Sequence, residues 1–136
     1  MKKKSKRKTK RSLDFNKPVH LVLKLKDNVP NLFNPRDKEL RAGFYEIAKK
    51  YSIQIYDLVF NHTHVHFLIK ISSREDYVAF IRELTSRFVS YWSKKMGIKV
   101  RKIFETRPFT RVIEWGRDFF GIKKYFKKNE KESGVS

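Results

Sequence analysis

Residues 61–70 read NHTHVHFLIK, and the interpretation of the whole chain starts from this stretch. It places three of the four histidines of the 136-residue chain inside a short apolar run that is typical of a β-strand. Because side chains alternate between the two faces of a strand, His64 and His66 share one face and the apolar residues around them share the other. Two imidazoles side by side indicate either a metal site or two ordinary histidines on a half-exposed strand.

The spacing of apolar residues predicts the other elements of the fold. Alternation predicts strands at residues 18–26, 53–60, 64–71 and 109–115, with a further short strand at 103–106. Helical periodicity predicts helices at residues 35–51, 74–96 and 117–132.

Capping signals predict the starts of the first two helices and the end of the second. Asn34 followed by Pro35 predicts the start of the first helix. Ser72, three residues ahead of Glu75, predicts a capping box at the start of the second helix. Gly97 predicts the end of that helix, because glycine readily adopts the left-handed conformation of a C-terminal cap.

The element order β-α-β-β-α-β-α predicts an α+β fold of the ferredoxin-like type, in which split βαβ units form a four-stranded antiparallel sheet, with an added C-terminal helix. In that topology the first and third strands lie in the middle of the sheet. The histidine strand is therefore expected to lie next to the strand that carries His20. The two connecting helices cover one face of the sheet, so the opposite face is expected to be free for function.

Charge and composition restrict the class of partner. The chain has 33 Lys and Arg against 14 Asp and Glu, for a net charge of +19, and such an excess favours nucleic acid as the partner. Eight of the basic residues lie in positions 1–12, which leaves +11 for the remainder. The absence of cysteine excludes disulfides and thiol chemistry. Without an apolar run of membrane-spanning length, a cytoplasmic protein with no membrane partner is expected.

The same composition predicts the domain organisation. Residues 1–12 form a basic low-complexity arm that is expected to be disordered, because it has almost no apolar surface to bury. Residues 13–132 are expected to form a single domain, and residues 133–136 a frayed tail.

Two residues of the terminal helix extend the metal interpretation of the histidine strand. Tyr125 and Asn129 are spaced i, i+4 and therefore share one face of the helix. A tyrosine hydroxyl can act as a nucleophile toward phosphorus, and an asparagine carbonyl can be an oxygen ligand. Two imidazoles, one amide oxygen and a nucleophile together form a plausible set for cleavage of a phosphodiester bond.

Three segments resemble the single-tyrosine HUH transposases, the insertion-sequence type and especially the REP-associated tyrosine transposases. The segment HVHFLI at 64–69 is similar to the His-hydrophobic-His strand of that family, and IKKYFKKN at 122–129 to its nucleophile helix. RPFTRVI at 107–113 is similar to the segment that precedes this helix. The resemblance extends over residues 17–132, and the order and spacing of the three segments make it fairly specific.

The resemblance implies a metal-dependent endonuclease and strand transferase acting on single-stranded DNA beside hairpins. His64, His66 and Asn129 would hold Mg²⁺ or Mn²⁺, and Tyr125 would attack the phosphate to form a 5′-phosphotyrosine intermediate. Insertion-sequence members act as homodimers that exchange the tyrosine, whereas REP-associated members can act as monomers. This sequence departs from the family at Thr63, where Asn or Asp is common, and at Asn129, where Gln is common.

Basic residues on and around the last strand and the terminal helix are the candidates for binding DNA. They are Arg101, Lys102, Arg107, Arg111, Lys124 and Lys128. The alternative to an enzyme is a non-catalytic module that binds single-stranded or structured nucleic acid on the sheet. Against that alternative, the sequence predicts no exposed pair of aromatic residues on the two central strands.

Overall fold

The structure is a computed structural model that describes residues 13–26, 37–61, 63–97, 104 and 108–132, apart from the side chains of residue 96 and residues 129–132. Three sequence predictions lie outside the described residues: the basic arm at 1–12, the tail at 133–136, and the helix start at Asn34 and Pro35. Of the short strand predicted at 103–106, only Phe104 is described, and it forms an isolated bridge with Leu25.

The described chain contains four strands and three helices in the predicted order. The strands are β1 (Val19–Lys24), β2 (Gln54–Asn61), β3 (His64–Lys70) and β4 (Phe109–Val112). The helices are α1 (Lys38–Lys50), α2 (Arg74–Met96) and α3 (Arg117–Glu132). None of the helices in these ranges is long and apolar enough to cross a membrane.

The four strands form one sheet in the order β2-β3-β1-β4, with every neighbouring pair antiparallel. This order confirms the α+β, ferredoxin-like prediction, and it places β3 and β1 in the centre of the sheet. In the register between these two strands, His66 lies opposite Val22 and His64 lies opposite Lys24. The histidine strand is therefore a central strand, as predicted.

One face of the sheet packs against α1 and α2 to form the main hydrophobic core. The β3 side chains that point to this side include Val65, Phe67 and Ile69, and none of the three is exposed to solvent. Phe44 of α1 contacts Phe67, with 5.6 Å between ring centroids, and packs against Phe88 of α2 at 5.5 Å. These buried apolar side chains of β3 hold the strand against α1 and α2.

The opposite face, which carries His20, His64 and His66 and is called the histidine face below, is covered in part by α3. Ile122 and Phe126 of this helix pack against Leu68 of β3 in a second hydrophobic cluster, which Val59 and Ile113 complete. The prediction that this face is free is therefore wrong. The reason is that the sheet presents apolar side chains here as well, and burying them under a helix stabilises the domain.

The N-capping residues of α1 and α2 differ from the predicted ones, although α2 begins at Arg74 as predicted. Asp37 is the N-cap of α1, and its carboxylate accepts a hydrogen bond from the Leu40 amide at 3.0 Å. The N-cap of α2 is Ser73, which accepts from the Asp76 amide at 3.1 Å, so the capping residue lies one position after the predicted Ser72. Gly97, with φ of 68°, ends α2 as predicted.

The last strand is shorter than predicted, since β4 ends at Val112 rather than at position 115. The chain turns at Trp115 and Gly116, where Gly116 has φ of 90°, a value that residues with a side chain rarely adopt. This turn sends the chain directly from the edge of the sheet into α3.

Phe126→Ala is expected to lower the free energy of unfolding by about 3 kcal/mol, because it leaves a cavity where a fully buried ring joins α3 to the sheet. Phe120→Ala, on the same helix at 65% exposure, is the matched control and is expected to change it by less than about 0.5 kcal/mol. Urea unfolding measures both variants. Equal effects would contradict the packing of α3 described above.

Candidate metal and nucleophile site

Three histidine side chains lie together on the histidine face. The rings of His64 and His66 are stacked at 5.9 Å between centroids with an interplanar angle of 20°, which follows from their alternation along β3. The ring of His20, on the neighbouring strand β1, stacks against His66 at 5.3 Å. His20 and His66 are buried, whereas His64 is half-buried.

Each of the two β3 histidines has its Nδ1 atom within hydrogen-bond distance of a partner. His66 Nδ1 lies 3.1 Å from His20 Nε2, and His64 Nδ1 lies 2.8 Å from the hydroxyl oxygen of Thr63. Thr63 is therefore a hydrogen-bond partner of His64. It stands at the position where the sequence departs from the family pattern noted above. With both Nδ1 atoms engaged, Nε2 is the nitrogen that each ring has left for a ligand.

The surroundings hold these imidazoles in the neutral form. Burial lowers the pKa of His20 to about 4, assisted by the nearby Arg111 guanidinium. Burial also lowers the pKa of His66 to about 4, assisted by the neighbouring His20 and His64. The pKa of His64 is lowered by burial and by the ammonium of Lys24. Neutral imidazoles keep a lone pair, which is the state that metal coordination requires.

Tyr125 lies next to the histidines of its own chain. Its ring centroid is 5.9 Å from that of His66 and 6.3 Å from that of His20. The neighbouring Phe126 is fully buried and packs on the same two histidines, at 5.2 Å from His20 and 5.8 Å from His66. Tyr125 itself is 47% exposed, so one part of its ring contacts His20 and His66 while another part faces solvent.

The start of α3 is fixed by the side chain of Asp118. Its carboxylate accepts a hydrogen bond from the Glu114 amide at 2.9 Å and pairs with Arg111 of β4 at 3.3 Å. These interactions lower the pKa of Asp118, chiefly through the backbone hydrogen bond. The contacts tie the helix that carries Tyr125 to the strand next to β1.

His64 and His66 supply imidazole nitrogens as candidate metal ligands. Two neutral imidazoles are suitable ligands for a divalent transition-metal ion. Because they would occupy only two of its coordination positions, the others would be left for oxygen ligands. Among the described residues no group of three or more His, Asp or Glu side chains could hold a metal ion. The third ligand that the sequence predicts is the amide of Asn129, whose side chain lies outside the described part of α3.

Three of the six predicted DNA-binding residues are described. Arg111 lies on the histidine face, in register with His20, and Lys124 and Lys128 are exposed on α3. Arg101, Lys102 and Arg107 lie outside the described residues, as does His62. Arg111 thus lies beside His20, and Lys124 and Lys128 lie on the helix that carries Tyr125.

The structure also brings residues to this site that the sequence interpretation left without a role. His20 becomes a partner of His66 only through the register of β1 and β3, and a lone histidine on an apolar strand gave little signal for that. Phe109, at 49% exposure, lies on the edge strand with its ring 6.1 Å from His20. The two central strands carry no such exposed aromatic pair among the described residues, as predicted, but the neighbouring edge strand does supply an aromatic ring.

This arrangement defines a class of protein: a ferredoxin-like sheet with a histidine pair on a central strand and a tyrosine-bearing helix docked beside it. The family described as transposase IS200-like matches residues 14–128. Since this match spans most of the chain, the chain belongs to the IS200-like transposase family. The family resemblance inferred from the three sequence segments is confirmed.

Comparisons with solved structures agree on the fold. A REP-associated tyrosine transposase bound to a REP hairpin is similar with a TM-score of 0.73 and 16% identity, over 96% of this chain and 76% of that one. A transposase candidate from Deinococcus radiodurans R1 is similar with a TM-score of 0.57 and 16% identity, over 90% of this chain and 98% of that one. Comparison with curated protein sequences gives no match. Membership of a transposase family implies an enzyme that cleaves and rejoins DNA.

The metal-free protein is expected to lose stability as the pH falls from 7 to 5. A histidine in the unfolded chain binds its proton near pH 6.5, whereas the pKa of His20 and of His66 in the folded protein is about 4. Between these values the unfolded state binds more protons, so acidification favours unfolding, by on the order of 2 kcal/mol per histidine at pH 5. Urea unfolding in the presence of a chelator measures the change.

His20→Phe serves as the matched variant for this pH dependence, because it removes one of the two buried titrating rings and keeps an aromatic in its place. The variant should show roughly half of the wild-type loss between pH 7 and pH 5. An unchanged pH dependence would show that these histidines do not titrate as the buried geometry requires.

Proposed function

We propose that the chain is a metal-dependent endonuclease and strand transferase that cleaves single-stranded DNA beside hairpins through a covalent link to Tyr125. The observation that carries the proposal is the contact between Tyr125 and the neutral pair of His66 and His20 on one face of the sheet. The proposed nucleophile thus lies beside one proposed metal ligand, His66, and beside His20, which orients that ligand. Family membership supports DNA as the substrate class.

In the proposed reaction the Tyr125 oxygen attacks the scissile phosphorus. The Oη–P bond forms while the P–O3′ bond breaks, which gives a 5′-phosphotyrosine and a free 3′-hydroxyl. The hydroxyl proton of Tyr125 leaves to water on the exposed side of the ring, and the departing O3′ takes up a proton. A 3′-hydroxyl of another strand reverses the step, so that the DNA is rejoined without ATP.

His64, His66 and Asn129 are the residues proposed to hold Mg²⁺ or Mn²⁺. When bound, the ion supplies Lewis-acid polarisation of a non-bridging phosphate oxygen. The imidazole ligands favour Mn²⁺ in affinity, whereas an oxygen-rich coordination sphere suits Mg²⁺. His20 and Thr63 orient the two rings through the Nδ1 contacts at 3.1 and 2.8 Å, which keeps both Nε2 atoms available.

The same chain supplies both parts of the proposed site. α3 packs on the sheet that carries the histidines, through the buried side chains of Ile122 and Phe126. This packing supports a site completed within one chain, as the resemblance implies for REP-associated members. A homodimer that exchanges α3 is the other arrangement that the resemblance allows.

Basic side chains around the site are proposed to bind the DNA backbone. Arg111, Lys124 and Lys128 lie near Tyr125, and Arg101, Lys102 and Arg107 are included on their charge and position in the sequence. The similar REP-associated transposase is bound to a REP hairpin, which supports a hairpin as the partner of this chain as well. Phosphate contacts of this type fix the position of the strand and weaken as salt is added.

Tyr125→Phe is expected to abolish the covalent adduct, because it removes the attacking oxygen and little else. The probe is a labelled single strand containing a hairpin and its flanking bases, taken from the DNA on either side of the gene. A denaturing gel detects the adduct in Mn²⁺ or Mg²⁺, and anisotropy should show binding within about twofold of wild type, since one hydroxyl is lost. Tyr45→Phe, which removes a similarly exposed tyrosine hydroxyl on α1, is the control and should retain the adduct.

An adduct that persists in Tyr125→Phe would assign the nucleophile to another residue. If wild type binds the strand but forms no adduct with either ion, the chain acts instead as a non-catalytic nucleic-acid-binding module.

His66→Ala is expected to remove Mn²⁺ binding, and His20→Ala to weaken it by about 10- to 100-fold, the range typical of residues that orient a metal ligand. Electron paramagnetic resonance of free Mn²⁺ measures both affinities without DNA and without turnover. Tyr125→Phe is the control and should bind Mn²⁺ as wild type does. Wild-type affinity in His66→Ala would contradict the proposed ligand set.

A further inference from the structure

An open groove runs along the first half of α3 toward Tyr125. It begins at Trp115, in the turn between β4 and α3, and passes Gly121 before it reaches the exposed side of Tyr125. Trp115 is 50% exposed and Tyr125 is 47% exposed, so both rings present about half of their surface. The helix rises about 12 Å between Arg117 and Tyr125, which is within the reach of a few nucleotides of an extended strand.

The ring of Trp115 is held in place although half of it is exposed. Its indole N–H donates a hydrogen bond to the Asn16 carbonyl at 3.3 Å. The ring packs against Phe119 with 5.1 Å between centroids and meets the edge of Tyr56 at 5.8 Å. These contacts already hold the indole ring in one orientation, so little conformational entropy is lost when a flat ring stacks on its exposed face.

A bulge in the sheet supports this position of Trp115. The register between β2 and β3 shifts between Ile55 and Asp57, which leaves Tyr56 as an extra residue in β2. Such bulges redirect a side chain out of the regular alternation. Here Tyr56 packs against the cluster under α3 and contacts both Trp115 and Phe119.

Two arginines and two carboxylates line the groove, and the ion pairs around it involve three of these four side chains. Both carboxylates are engaged, since Asp118 pairs with Arg111 at 3.3 Å and Glu114 pairs with Lys17 at 3.1 Å. Among the described residues Arg117 has no ion pair, which leaves its guanidinium available to a phosphate. An aromatic face next to a surplus positive charge is the combination that binds unpaired nucleotides.

We propose that Trp115 is the stacking site for an unpaired base of the single strand whose phosphate reaches Tyr125. This inference rests on the proposed function and adds a specific subsite to it. Arg117 contacts the backbone of the same nucleotide segment, and stacking on Trp115 sets the direction in which the strand approaches the nucleophile. Base–aromatic stacking tolerates any base, so this subsite positions the strand rather than reading its sequence.

The two tryptophans of the chain allow a direct test by fluorescence. Trp92→Phe leaves Trp115 as the sole tryptophan, and its emission should be quenched when a short oligothymidylate saturates the protein. Trp115→Phe leaves only Trp92, which is 8% exposed in the core, and its emission should not change. Absence of quenching in Trp92→Phe, while anisotropy shows that the oligothymidylate is bound, would overturn the proposal.

Affinity measurements separate stacking from charge. Trp115→Ala should weaken binding of the oligothymidylate by roughly 5- to 150-fold, the range for loss of one stacked base, and should leave binding of an abasic strand of equal length unchanged. Phe120→Ala removes an exposed aromatic outside the groove and is the matched control, with no expected effect on either strand. An equal loss on both strands would overturn the stacking role.

The outcome for Trp115 is distinguishable from the outcome for the proposed function. An adduct that depends on Tyr125, together with no effect of Trp115 on binding, overturns the stacking site alone. Quenching of Trp115 with no adduct in wild type supports the stacking site and overturns the catalytic proposal.

Discussion

The site depends on the burial of one apolar patch on the histidine face. Leu68 of β3 would be exposed if the sheet were covered only by α1 and α2, and its contact with Ile122 and Phe126 holds α3 against the strands. The same contact excludes water from His20 and His66, which lowers their pKa values and keeps both rings neutral. Hydrophobic packing thus sets the position of Tyr125 and is the main cause of the lowered pKa of both histidines.

The sequence predicted what short-range patterns determine. The alternation at residues 64–70 placed His64 and His66 on one face, and helical spacing gave α2 and α3 with their observed bounds. It placed His20 on the strand next to the histidine strand, as observed, but it did not predict the contact with His66, because that contact depends on the register between the two strands. The N-caps of α1 and α2 were misplaced by a few residues because several neighbouring residues could cap each helix, whereas the C-cap at Gly97 was predicted correctly.

The covered face was missed for a different physical reason. Topology predicts that two helices pack on one side of a ferredoxin-like sheet, but it says nothing about an element added after the last strand. The apolar residues at positions 122 and 126 are consistent with packing on either side of the sheet. The turn at Trp115 and Gly116 determines the side of the sheet on which α3 packs, because it directs the helix across the histidine face. The sequence predicts Trp115 as the last residue of a strand. In the structure β4 ends at Val112, so Trp115 lies in the following turn with half of its ring exposed.

Adjacent residues on α3 divide two tasks that evolution can alter separately. Phe126 is fully buried in the cluster that joins α3 to the sheet, whereas Tyr125 is about half exposed and its ring contacts His20 and His66. A change at position 125 that keeps an aromatic ring would therefore leave the packing of α3 on the sheet in place. The hydroxyl at this position can thus be lost while the chain keeps its fold and its strongly basic character.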